Sequence, residues 1–280
     1  MLRIITDGAG NLKEGWAEEY DIQTIPVNIH VGDKTFLQDV ELSMDDFFAK
    51  VEESKKIPKT SQPTPYQFVE FIKANAQPGD TLLSINVTSK LSGTHASAVA
   101  ASRELEGEYK VIPFDSATGS VGMGYMCKIA REMDRAGKSL DEIVAKLTWL
   151  RDNGLLIFTL DNLEYARMSG RAGAVSAALA TMLNIKPIGT LADGLLQITE
   201  KVRTRKAALN RVVELAKEKV GSKPIFLGVL HCRDPKVGVE VMEMGKKILN
   251  VKEEMMDELS ISLAANFGPG TVVLIAYPLE

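Results

Sequence analysis

Thr81-Leu82-Leu83-Ser84-Ile85-Asn86-Val87, followed by Ser92-Gly93-Thr94 and the run His95 to Leu105, is the stretch on which the fold turns. Its first part is short, aliphatic and β-branched, with Gly79-Asp80 before it, so it reads as a buried strand. Its last part is small and helix-forming, through Ala96, Ala98, Ala100, Ala101 and Glu104. Ser92 and Thr94 therefore stand where the carboxyl end of a strand turns into a helix. In open α/β sheets, ligands bind at that place. The first turn of a helix has unpaired N–H groups and a partial positive charge. Two hydroxyls beside it make a site for a small anion, a phosphate or a carboxylate. The plainer alternative is that Ser92 caps the helix.

A second hydroxyl cluster lies upstream, in Thr60-Ser61-Gln62-Pro63-Thr64-Pro65. Thr64 followed by Pro65 is a good helix start, and Phe68, Phe71 and Ile72 follow at helical spacing. Thr60, Ser61 and Gln62 are left before the cap with no local duty. A hydroxyl-rich turn explains them cheaply. Two such turns in one chain are more telling than either alone.

Outward from this stretch, strands and helices alternate. Residues 2–6 read as a first strand, ending in a turn at Asp7-Gly8-Ala9-Gly10-Asn11. Ile25 to Val31 alternates and meets Gly32-Asp33, which predicts a hairpin with Thr35-Phe36. Ser43 caps a helix from Met44, and Asp46 follows at capping-box distance. Helix 65–76, strand 81–88, helix 94–105, strand 110–114, helix 120–136 and helix 141–151 complete this half. From Leu155 the pattern continues with strand 155–159 and helix 172–183. Two strands then flank Asp193-Gly194, a strong hairpin signal. Helix 203–219, strand 225–231, helix 236–249 and strands near 255–262 and 271–277 follow. The expected fold class is α/β, with two closely packed domains, 1–153 and 154–280. The first is a mainly parallel sheet with helices on both faces, and the second a mixed sheet with helices.

Composition narrows the function. The 280 residues are 45% apolar and 25% charged, as in an ordinary globular protein. Lys plus Arg number 33 against 37 Asp plus Glu, a net charge of −4, which argues against nucleic acid as a partner. The two cysteines, Cys127 and Cys232, form no CxxC and no disulfide framework. No His/Cys/Asp cluster has metal-ligand spacing. Asp7-Gly8-Ala9-Gly10 lacks both the dinucleotide glycine spacing and a phosphate-loop lysine. The start of the chain does not read as a signal peptide. The longest apolar stretch, Ala174 to Ile185, is shorter than the roughly 20 residues that span a bilayer. A cytoplasmic location is the expectation.

Lys59-Thr60-Ser61-Gln62-Pro63-Thr64-Pro65 and Leu91-Ser92-Gly93-Thr94 with Ser97-Ala98 resemble the two signatures of the DegV family. These are bacterial fatty-acid-binding proteins that present acyl chains to a fatty acid kinase. Asp115-Ser116 with Ser120 to Gly124 is similar to a third family segment. Leu163-Glu164-Tyr165 leading to Gly170-Arg171, and Phe267-Gly268-Pro269-Gly270-Thr271, resemble a fourth and a fifth. The set runs in family order over essentially the whole chain. Departures are Gly8 where the family has serine, His95 where it often has tyrosine, Ser169 for a glycine, and Asn266 for a histidine. Asn266 still offers an amide donor, without charge.

The resemblance implies a carrier of a long-chain fatty acid that does no bond chemistry itself. Its carboxylate is expected between Thr60, Ser61 and the Ser92-Gly93-Thr94 helix start, with Asn266 closing the site and the tail in an aliphatic tunnel. Ala117 to Gly124 and Ala172 to Ala180 are small enough to line such a tunnel, or simply to pack helices closely. Arg171 is expected near the carboxyl end or at the kinase docking face, since a guanidinium suits an acyl phosphate. The partners implied are the fatty acid and the kinase, with no nucleic acid and with room for transient membrane contact. No cofactor and no metal are expected. The alternative is a transferase or hydrolase acting on a small phosphorylated or carboxylated substrate at the same anion site. It is weakened by the absence of a general base beside Ser92, His95 being the only nearby candidate.

Overall fold

The computed structural model describes residues 1–161, 163–169 and 185–279. They fall into two compact units, Met1–Arg151 and Asp152–Glu280. The first unit is built on a four-stranded parallel sheet in the order β2-β1-β6-β7. Its strands are β1 (Leu2–Asp7), β2 (Ile22–Ile25), β6 (Thr81–Asn86) and β7 (Lys110–Asp115). β1 and β6 sit at the centre and carry the buried aliphatic side chains Ile4, Ile5, Leu82, Leu83 and Ile85. A parallel strand covered on both faces needs such a run. Helices α3 (Pro65–Asn75) and α4 (Thr94–Glu104) bring Phe68, Val69, Ile72, Ala98 and Ala101 into one cluster with Ile5, Ile25 and Leu82. Helix α5 (Val121–Arg135) packs on β1, and α1 (Trp16–Glu19), α2 (Met44–Ser54) and α6 (Leu140–Asn153) complete the helices of this half.

Beside the parallel sheet lies a three-stranded antiparallel one, in the order β4-β3-β5, made of β3 (Asn28–Val31), β4 (Lys34–Leu37) and β5 (Lys59–Ser61). Two expectations change here. The segment 25–31 is not one strand: Ile25 ends β2 in the parallel sheet, and the ladder resumes at Asn28 in a different sheet. Pro26, with no N–H to give, separates the two. Lys59-Thr60-Ser61 is not a free turn but pairs antiparallel with Asn28-Ile29-His30. Three polar residues ahead of Gln-Pro carry no strand pattern, and only the partner strand makes them extended.

The second unit holds a six-stranded mixed sheet, β10-β9-β8-β13-β11-β12. Its strands are β8 (Leu155–Thr159), β9 (Lys186–Ala192), β10 (Leu195–Val202), β11 (Pro224–His231), β12 (Asn250–Glu258) and β13 (Val272–Pro278). Only β11 and β12 pair in parallel. β9 and β10 form the hairpin announced by Asp193-Gly194, whose φ values of 50° and 76° suit the tight turn that matches strand twist. Its helices among the described residues are α7 (Glu164–Ser169), α8 (Arg205–Val220), α9 (Pro235–Ile248) and α10 (Ile261–Phe267). The strand expected near 255–262 starts earlier, at Asn250, and gives way to α10 at Ile261. The expected helix 172–183 lies outside the described residues. Among the described residues, no helix is long and apolar enough to cross a membrane.

Gly124 in α5 fixes how closely this helix approaches the loop after β1. A Cβ there would lie 1.9 Å from the carbonyl oxygen of Asn11. Gly124→Ala gains about 1 kcal/mol of helix propensity. The clash is with backbone, so the helix must shift, and overpacking of this kind costs about 3 kcal/mol. We expect net destabilisation, read as a lower urea midpoint. An unchanged midpoint would show that α5 stands off from the loop.

Candidate functional site

Three strands of the parallel sheet end side by side in polar residues: β1 in Asp7, β6 in Asn86 and β7 in Asp115. Asp7 is completely buried. Its Oδ1 accepts the Ala9 N–H and its Oδ2 the Val87 N–H, both at 2.9 Å. One carboxyl group thus ties the loop after β1 to the segment after β6. Burial pushes its pKa from 3.8 up to about 6, against the opposing pull of the Val87 and Ala9 N–H groups and the Asn86 side chain. Asp115 accepts the N–H groups of Ser89 at 3.2 Å and Ala117 at 3.0 Å. Burial would raise its pKa as well, but the Ser89 hydroxyl, these N–H bonds and the nearby His95 hold it below the ordinary value.

Beyond Val87 the chain turns into α4. The Ser92 N–H donates to Thr88 O at 3.2 Å, and Gly93 takes the N-cap position with no side chain to offer. Ser92 is thus not the cap residue. Its Oγ lies 2.8 Å from Thr94 Oγ1 and accepts the Thr94 N–H at 3.3 Å. The two hydroxyls form a pair at the positive end of an eleven-residue helix, Thr94 buried and Ser92 half-buried. Among the described residues, neither is bonded to a histidine or a carboxylate, although a nucleophile would require a base. The His95 Nδ1 is buried without a hydrogen-bond partner among the described residues.

The upstream segment reaches this pair through Gln62. A Cβ on Gly93 would lie 2.8 Å from Gln62 Nε2, so the Gln62 amide rests directly on the glycine backbone. Gln62 is in turn held by its carbonyl, which accepts from Asn28 Nδ2 at 3.2 Å. Asn28 exchanges two amide bonds with Gln67, at 3.4 and 3.1 Å. Gln67 closes the capping box of α3, donating its N–H to Thr64 Oγ1 at 3.1 Å and accepting the Thr64 N–H at 2.8 Å. The cap read from Thr64-Pro65 is therefore also the anchor of the Gln62 turn.

Thr60 and Ser61 stand in β5, where successive side chains leave opposite faces. Thr60 is opposite the buried Ile29, and Ser61 is opposite Asn28. The Ser61 Oγ lies 2.9 Å from His30 Nε2. Asn266 belongs to the second unit, near the end of α10, where its Nδ2 donates to Ser262 O at 2.6 Å. Arg171 lies outside the described residues. Among the described residues, no group of three His, Cys, Asp or Glu side chains is placed to hold a metal. Asn28 and Asp7 were not singled out from the sequence as site-shaping residues, and Gln62 stood out only within the Thr60-Ser61-Gln62 cluster. The signal for Asn28 is the Thr64-x-x-Gln67 spacing of the capping box whose Gln67 it bonds.

The Asp7 carboxyl makes stability depend on pH. Its folded pKa of about 6 lies above the ordinary 3.8, so the folded state holds a proton that the unfolded chain has already lost. This contribution is full below about pH 4 and disappears as pH rises through about 6, a change of about 3 kcal/mol. Asp7→Asn removes that slope. At pH 4 we expect the variant to be less stable by about 1–3 kcal/mol, because an amide N–H₂ faces one of the two N–H donors. The deficit should shrink by pH 7. Urea melts of both proteins at pH 4 and 7 check it; a constant difference would place the Asp7 pKa near its ordinary value.

The family model described as "Uncharacterised protein, DegV family" matches residues 1–279. A DegV domain-containing protein of Listeria monocytogenes is 31% identical over 270 residues, covering 96% of this chain and 92% of that one. Among solved structures, a Thermus thermophilus DegV family protein described by its fatty acid binding is 28% identical, with a TM-score of 0.89 over 99% of both chains. A DegV lipid-binding protein of Thermotoga maritima is 26% identical, with a TM-score of 0.88 over 100% of this chain and 99% of that one. With a match over nearly its whole length, the chain belongs to the DegV family.

Proposed function

We propose that this protein binds a long-chain fatty acid, shields its tail in an aliphatic tunnel and presents the carboxylate to a partner fatty acid kinase in the cytoplasm. The observation that carries the reading is the Ser92–Thr94 hydroxyl pair, 2.8 Å apart at the start of α4, with no base bonded to it among the described residues. Such a pair suits holding an anion and lacks the means to attack one. The fatty acid binding described for the similar Thermus thermophilus protein supports the ligand. The resemblance of the motifs supports the kinase. In the proposed site, Ser92, Gly93 and Thr94 form one side of the carboxylate pocket, and the Thr60-Ser61 segment, joined to it through Gln62, forms the other.

The energetics fit a carrier. Each buried CH₂ contributes about 0.8 kcal/mol, so a long tail supplies most of the affinity and the head-group site need only be selective. A charge-assisted hydrogen bond adds about 1.5–3 kcal/mol.

Native mass spectrometry of the protein purified from bacterial cells tests the reading, with a co-purified fatty acid as the expected result. An empty protein that turns over a small phosphorylated or carboxylated substrate would replace it with the enzymatic alternative. Ser92→Ala should weaken palmitate binding by about 10- to 100-fold while the fold persists, because Gly93, not Ser92, is the N-cap. Unchanged affinity in the folded variant would remove Ser92 from the site. Arg171→Ala should leave palmitate affinity intact and slow acyl-phosphate formation by the kinase. Lost affinity with a normal rate at saturation would instead place Arg171 at the ligand.

A further inference from the structure

We propose that His30 is a positioning residue that turns the Ser61 hydroxyl into a hydrogen-bond donor for the bound carboxylate. The inference rests on the fatty acid reading above. His30 lies in β3 between the buried Ile29 and Val31, so strand alternation sends its ring to the face away from that core. Both ring nitrogens meet hydroxyls. Nδ1 is 2.8 Å from Thr35 Oγ1 on β4, and Nε2 is 2.9 Å from Ser61 Oγ on β5. The three side chains make a continuous row across the three-stranded sheet.

A neutral imidazole has one N–H donor and one bare acceptor nitrogen, so this row runs in one of two directions. With the proton on Nδ1, Thr35 accepts it and the Ser61 O–H is spent on Nε2. Ser61 then has only lone pairs to show a ligand. With the proton on Nε2, Ser61 accepts it, Thr35 donates its O–H to Nδ1, and the Ser61 O–H is free to point outward. A carboxylate only accepts, so it selects the second direction. The row then reads Thr35 to His30 to Ser61 to carboxylate, each bond polarising the next. The residue after Ser61 is Gln62, whose amide rests on Gly93 beside the Ser92–Thr94 pair. Ser61 itself is assigned to the carboxylate in the proposed function, and it is through that assignment that the row reaches the head group. The plainer role, a cross-strand bond that merely holds the small sheet together, would be indifferent to the ligand.

The experiment measures palmitate affinity by fluorescence displacement for the parent, His30→Phe, Ser61→Ala and the double variant. His30→Phe should weaken binding about tenfold, and the double variant should be no weaker than Ser61→Ala alone, because both remove the same donor. His30→Gln, which keeps an N–H near the Nε2 position, should recover most of the loss. Parent affinity in His30→Phe, or losses that multiply in the double variant, would overturn the proposal. A second measurement needs no variant. The ¹⁵N shifts of the His30 ring in the parent protein should move to the Nε2–H tautomer when palmitate is added, and an unchanged tautomer would equally overturn it. Binding of palmitate by the parent reports on the carrier reading itself, separately from what His30 does.

Discussion

A single buried carboxyl group organises the end of the parallel sheet at which the candidate site lies. Asp7 accepts from Ala9 on one oxygen and from Val87 on the other, across 80 residues of sequence. The loops it joins are stitched to a third. Thr88 N–H donates to Thr118 O at 2.8 Å, Ser120 N–H to Ala9 O at 2.7 Å, and Asn11 N–H to Ser120 O at 3.1 Å. The turns after β1, β6 and β7 thus form one hydrogen-bonded body. Ser92 hangs from it through its N–H to Thr88 O. The position of the hydroxyl pair follows from these bonds rather than from α4 alone. Two residues of this body pay in backbone conformation, Ala117 at φ 49° and Ser120 at φ 61°. Strain of this kind persists only where the surroundings over-determine it, and here each strained residue has an N–H held by a partner, Asp115 for Ala117 and Ala9 for Ser120.

What the sequence made legible is what one segment decides by itself. The run Thr81 to Val87 gave its strand because an aliphatic stretch of that length has to be buried in a parallel sheet. Thr64-Pro65 showed a helix start and Asp193-Gly194 a hairpin, since each sets its backbone with its own atoms. The hydroxyls at 92 and 94 were placed correctly between strand and helix, but their mutual bond was not visible. Pairing choices were hidden for a physical reason. Nothing in Lys59-Thr60-Ser61 favours a strand until β3 offers its edge. The alternation from Ile25 to Val31 runs unbroken across Pro26, so one apolar pattern serves two sheets. The bridge at Asp7 and the contact of Gln62 with Gly93 join residues far apart in sequence, and periodicity carries no trace of them.

The side chains assigned to the carboxylate in the proposed function are polar and uncharged. Ser92, Thr94, Ser61, Gln62 and Asn28, with the groups that hold them, supply hydroxyls and amides, and the start of α4 adds a partial positive charge at the pair. For a ligand bound mainly through its tail, such a site has an advantage over an ion pair. An arginine buried against the carboxylate would hold it firmly and hide it, at a large desolvation cost whenever the site stood empty. Hydroxyls can turn to water when the ligand leaves, so the empty state carries no orphaned charge. They also leave the carboxylate its negative charge, which a phosphoryl acceptor needs. In the proposed function, recognition of the chain and reactivity of the head group are therefore assigned to different parts of the molecule. The apolar interior sets how tightly the acid is held. On that reading the hydroxyl pair, positioned by the Asp7-centred loops, adds a smaller share of the affinity and sets where the carboxylate is found.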